Sequence, residues 1–81
     1  VTQDALIVMA WLASHPGSDA NTLGRLITNG GSPQRVSNAG WRIASELRRS
    51  GLVEATHEPN RNQHRLLYTL TPKGRRLLKE S

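Results

Sequence analysis

Residues 33–53 read PQRVSNAGWRIASELRRSGLV. Ser32 stands just before this stretch, so a hydroxyl cap is followed by proline at a first helical position. Val36, Gly40, Ile43 and Leu47 then fall on one stripe at 4-3-4 spacing. The opposite face offers Gln34, Arg35, Ser37, Asn38, Trp41, Arg42 and Ser45. Gly51 after Arg48-Arg49-Ser50 is a stop signal, with cations placed favourably for the helix dipole. The spacing predicts an amphipathic helix over 33–50 with an apolar face and a polar, basic one. Gly40 lies on the apolar stripe, where the lack of a side chain would let a second helix approach closely.

Upstream, residues 19–28 read as a helix capped by Ser18 or Asp19. Leu23, Leu26 and Ile27 form its apolar face, and Asn29-Gly30-Gly31 ends it. Residues 3–14 read as another helix, stopped by His15-Pro16-Gly17. Its run from Ala5 to Ala13 is apolar all round, which predicts burial on more than one side, as a core helix or half of a dimer contact. Downstream, Leu52-Val53-Glu54-Ala55 starts a strand, and His57 to Gln63 is a polar turn. Arg65 to Leu70 alternates, with Leu66, Tyr68 and Leu70 on one face. Thr71-Pro72 is again a cap plus first-position proline, opening a short helix through Leu77 and Leu78. The order is three helices, two strands and a helix. It makes an α+β, mainly helical fold: one domain over 1–81 with a three-helix core, a β-hairpin and a short C-terminal helix.

The 81 residues carry a net charge of +5. Residues 1–32 contribute −1, whereas residues 33–49 contribute +3 and residues 57–81 contribute +4. A one-sided basic surface on a small domain points to a polyanion. Nine of the eleven basic residues are arginine, whose planar fork suits phosphates and guanine edges. There is no cysteine, which removes disulfides and thiolate metal sites and fits a reducing cytoplasm. The run Ala5 to Ala13 has no basic leader or cleavage site and is far shorter than the ~20 apolar residues of a membrane span. Val1 in place of methionine is consistent with a chain taken from a longer protein.

Ser50-Gly51-Leu52-Val53, followed by Tyr68-Thr69-Leu70-Thr71-Pro72-Lys73-Gly74, resembles bacterial winged helix-turn-helix regulators of the MarR and PadR type. In that family a Gly-Leu-Val turn commonly closes the recognition helix, and a Leu-Thr-x-x-Gly start follows the wing. The resemblance covers roughly residues 3–80. It implies sequence-specific binding of double-stranded DNA and transcriptional regulation. The helix over 33–50 would enter the major groove, and the 57–65 wing would touch the adjacent backbone or minor groove. Asn38 and Arg42 fall where the family places base- or phosphate-contacting side chains. Arg35, Asn38 and Arg42 are the base readers, with Gln34 and Trp41 beside them. Ser32 and Ser37 would hold phosphates, and Arg61, Asn62, Gln63, His64 and Arg65 would form the wing tip. Family members dimerise through longer terminal helices, which this chain mostly lacks, and their frequent Asp-Arg wing pair is Asn60-Arg61 here.

The expected partners are duplex DNA and a second copy, joined through the first and last helices, with no membrane and no cofactor. The expected location is the cytoplasm, at the nucleoid. His15, His57 and His64 are the only candidates for metal or acid–base chemistry. Even paired across the hairpin, two of them do not make a zinc site, so no enzyme is expected. Trp11 reads as core or dimer contact. Trp41 reads as packing on the first helix or, if exposed, as marking a partner surface. Glu46, four residues after Arg42, could pair with it. Arg75, Arg76 and Lys79 read as a solvated face. A protein-interaction or assembly module using Trp41 and the apolar first helix is the competing reading.

Overall fold

The computed structural model describes residues 2–28, 30–57 and 66–80. Among these, the elements run α1 (Gln3–Ser14), β1 (Ser18–Asp19), α2 (Ala20–Ile27), α3 (Pro33–Arg49), β2 (Val53–His57), β3 (Leu66–Leu70) and α4 (Pro72–Glu80). Their order and type match the sequence reading, apart from β1. The strands form one antiparallel sheet in the order β1-β3-β2, with Ser18 opposite Tyr68 and Ala55 opposite Tyr68 on the other side. The fold is therefore a three-helix core with a hairpin, and a short third strand secures the hairpin's root to the helices.

Side chains start the helices. Thr2 Oγ1 accepts from the Ala5 amide at 3.2 Å, and Ser32 Oγ accepts from the Arg35 amide at 3.2 Å. At α2 the cap is Asp19, not Ser18. Its Oδ1 accepts from the Thr22 amide at 2.9 Å and the Thr22 hydroxyl at 2.7 Å. Ser18 instead accepts from Trp11 Nε1 at 3.0 Å and donates to the His15 carbonyl at 2.8 Å.

The end of α3 is a Schellman turn. Gly51 takes φ +75°, its amide donates to the Arg48 carbonyl at 3.0 Å, and the Leu52 amide donates to the Leu47 carbonyl at 2.9 Å. Leu52, expected to begin the strand, thus belongs to the cap, and both it and Leu47 are buried in the core. His57, expected in the turn, is still paired with Leu66 in the ladder.

The core joins Val8, Met9 and Leu12 of α1, Leu23 of α2, Ile43, Ala44 and Leu47 of α3, and Val53, Tyr68 and Leu70 of the sheet. Each large side chain here is worth ~1.5–3 kcal/mol of burial. Burial of α1 extends past its central stripe, since Leu6, Trp11 and Ala13 pack against the core beside Ala5, Val8, Met9 and Leu12, but Ile7 is 39% exposed and Ala10 is exposed. Trp11 is half-buried against the core's edge, with its ring stacked on His15 at 3.7 Å.

Candidate nucleic-acid interface

The interface is set by how α3 is held. Gly24 of α2 and Gly40 of α3 meet at the helix crossing. A Cβ at Gly40 would run into the Ala20 carbonyl and lie 2.9 Å from the Gly24 nitrogen; one at Gly24 would run into the Val36 carbonyl. The two backbones touch without side chains between them, as expected at Gly40; Gly24 was not foreseen. The buried stripe is Val36, Gly40, Ile43, Ala44 and Leu47, so the opposite face is turned out. Gln34, Arg35, Asn38, Trp41 and Arg42 are all exposed on it.

Ser32, Gln34, Arg35, Asn38 and Arg42 line one concavity, together with Thr28 and Ala39. Two arginines and two carboxamides thus converge with no carboxylate in the lining. Thr28 reads in the sequence as the last residue of the second helix, with no part in the site. It caps α2, with its hydroxyl donating to the Gly24 carbonyl at 2.8 Å, and this brings it to the start of α3. Ser37, expected to hold phosphate, is half-buried on the flank of the helix. Ser32 already serves the Arg35 amide through its oxygen, so toward an anion it has its hydroxyl hydrogen to offer.

Trp41 is 55% exposed, so of its two readings the exposed one holds and the packed one does not. Arg42 forms no ion pair with Glu46 among the described residues. The two instead line a separate cleft with Asp4, Thr2, Ile27, Ala39 and Ile43, so Arg42 borders both concavities. Beyond α3, Arg48 lies close enough to Tyr68 for its charge to lower the phenol's pKa. Burial is the larger influence and raises that pKa above its ordinary value. The wing-tip residues Arg61, Asn62, Gln63, His64 and Arg65 lie outside the described residues, so any meeting of His57 with His64 does too. Among the described residues no group of three or more His, Cys, Asp or Glu could hold a metal. No helix of the described chain is long and apolar enough to cross a membrane.

The two motifs that carried the family resemblance form one device. The Thr71 amide donates to the Leu52 carbonyl at 3.0 Å, and the Thr71 hydroxyl donates to the Gly51 carbonyl at 2.7 Å. The same hydroxyl oxygen accepts from the Gly74 amide at 3.1 Å, capping α4. Lys73 Nζ donates to the Ser50 carbonyl at 3.1 Å. Gly74 is buried against the Leu52 backbone, where a Cβ would collide with the Leu52 carbonyl. The end of α3 and the start of α4 are thereby stapled across the base of the hairpin.

Three solved structures share this architecture over nearly the whole chain. A MarR family transcription regulator superposes with a TM-score of 0.75 at 28% identity, over 98% of this chain and 48% of its own. A probable transcriptional regulator from Pseudomonas aeruginosa gives 0.77 at 23% identity, over 99% and 55%. The PcaV transcriptional regulator from Streptomyces coelicolor, solved with its natural ligand, gives 0.74 at 27% identity, over 98% and 51%. No protein-family model matches the sequence, and no curated protein does. The chain has a winged helix-turn-helix fold, related to that of MarR/PadR-type transcriptional regulators. It spans about half the length of the regulators it resembles.

Proposed function

We propose that this chain is the DNA-reading domain of a transcriptional regulator and has no catalytic role. It binds double-stranded DNA with sequence preference, through α3 in the major groove and the 57–65 wing on the adjacent backbone or minor groove. The observation that carries this reading is the concavity at the start of α3. Its lining holds Arg35, Arg42, Gln34 and Asn38 and no carboxylate, on a helix whose other face is locked into the core. Arginine pairs with the guanine edge and carboxamides with adenine, and the surrounding charge suits phosphates. The regulators that share the fold support the same reading. Two copies, meeting through α1 and α4 where Ile7 is exposed, would each read one half-site of a roughly palindromic sequence in the cytoplasm, at the nucleoid.

Fluorescence anisotropy of labelled duplex DNA, taken at several salt concentrations with scrambled duplex as competitor, tests the reading. Contact with about five phosphates gives a log–log slope of about −4 to −5. Resistance to the scrambled competitor establishes preference. Absence of binding even at low salt would refute the proposal, and salt-insensitive association of Trp41 with another protein would replace it.

A further inference from the structure

Trp41 and Ile7 are the large apolar side chains that the described residues leave exposed, and Trp41 is the more open, at 55%. It follows Asn38 by three residues and Gln34 by seven, so helical geometry puts all three in one row on the outward face of α3. Arg48, seven residues further on, continues that edge and lies near Tyr68 of β3. Glu46, the one acidic residue of α3, lies on the other edge, in the cleft with Asp4. An indole set among carboxamides and guanidinium groups fits a partner that is anionic around it and apolar at one point. The edges of a duplex major groove offer one such apolar group, the thymine C5-methyl. Adenine, paired with that thymine, is the base that the carboxamides of Gln34 and Asn38 match.

We infer that Trp41 is a specificity-determining residue that packs on a thymine methyl group, beside an adenine read by Asn38 or Gln34. The inference rests on the DNA-reading function and assigns part of the target: an A·T pair facing the middle of α3. A polyanion is favoured over a protein as the occupant because α3 carries a net +3 over residues 33–49 and its acidic residue is turned away.

The test uses the full 81-residue chain. It selects duplexes from a random pool, then resynthesises the selected site with deoxyuridine replacing each thymidine in turn. At one or two positions deoxyuridine should weaken wild-type binding about fourfold, the worth of one buried methyl. Trp41→Ala should bind more weakly overall and be indifferent to deoxyuridine at those positions, and Trp41→Phe should keep part of the discrimination. Melting temperatures close to wild type show that the variants fold, as an exposed side chain predicts. If every deoxyuridine duplex binds like its parent, or if Trp41→Ala keeps the loss, the inference is overturned while DNA reading stands. If no duplex is enriched and no salt-sensitive binding is found, both fall together.

Discussion

Gly40→Ala is the most informative single change in the fold. In an ordinary exposed helix, alanine in place of glycine gains about 1 kcal/mol of helical propensity. Here the added methyl has nowhere to go. It would collide with the Ala20 carbonyl oxygen, and it would lie 2.7 Å from that carbonyl's carbon and 2.9 Å from the Gly24 nitrogen. All three are backbone atoms of α2, so no rotamer change relieves the overlap and the helices must separate. Overpacking of a side chain typically costs ~1–3 kcal/mol, and contact against rigid backbone belongs at the upper end or beyond. After the propensity gain is subtracted, a net loss of about 2–3 kcal/mol is expected. Total stability at this size is about 4–12 kcal/mol, so the loss is a large share. The melting temperature should fall by roughly 10–20 °C, because a domain of this size shifts ~4–8 °C per kcal/mol. Thermal denaturation followed by circular dichroism reads it directly, with exposed Asn38→Ala in the same helix as control. A Gly40→Ala protein that melts at or above wild type would refute the contact between α2 and α3.

Other perturbations address the remaining parts. Thr71→Ala removes the bond to the Gly51 carbonyl and the cap on Gly74 together, and should cost about 1–2 kcal/mol, with Thr71→Ser close to wild type; equal melting of all three would discount the staple. Tyr68 titrates above its ordinary value because burial holds it neutral, so its contribution to stability is complete below about pH 10 and is lost as pH rises toward the folded-state pKa. Tyr68→Phe should therefore show a shallower fall of melting temperature above pH 10 than wild type, and parallel curves would rule the phenol out. Asn38→Ala and Arg42→Ala should each weaken binding to the preferred duplex by ~1–3 kcal/mol, while Arg76→Ala on α4 should change it little. Comparable losses from Arg42 and Arg76 would mean that general charge, not a groove contact, drives the affinity.

The helices were legible because their signals are local. Ser32-Pro33, Thr71-Pro72 and Gly51 are caps and stops whose geometry needs only neighbouring residues, and the stripe Val36, Gly40, Ile43, Leu47 is buried as its spacing predicts. What escaped the sequence depends on distant partners. Ser18 and Asp19 are too short a strand to show alternation; they become one because Tyr68 and Leu67 are brought beside them. The same pairing settles which residue caps α2, since Ser18 is drawn into bonds with Trp11 and His15 and Asp19 is left to turn to Thr22. Gly24 carries no signal of its own in the sequence, and its part in the crossing follows only from the placement of Gly40 against it. Trp41 was ambiguous for a related reason: a residue at the flank of a stripe packs or points out according to where the next helix lies. Here α2 crosses at Gly40, and the tryptophan beside it is left uncovered.

These constraints bear on the interface as a set. A reading helix must present its outer face at a constant angle to the hairpin, or contacts by the two cannot be made on one duplex. In this chain α3 is held near its middle by the glycine crossing with α2. It is held at its end by the Schellman turn, which Thr71 and Lys73 fasten to the start of α4. The hairpin strands leave and re-enter at that same fastening, through Val53 and Leu70, which are paired with each other and buried. The angle between α3 and the hairpin is thus set by backbone contacts and short hydrogen bonds in which the side chains of Asn38 and Arg42 take no part among the described residues. The residues of the outer face carry none of this structural load among the described contacts. Under the proposed function they can be exchanged to change the DNA preference without loosening the frame that presents them, so stability should report on Gly40 and Thr71 while DNA preference should report on Asn38, Trp41 and Arg42.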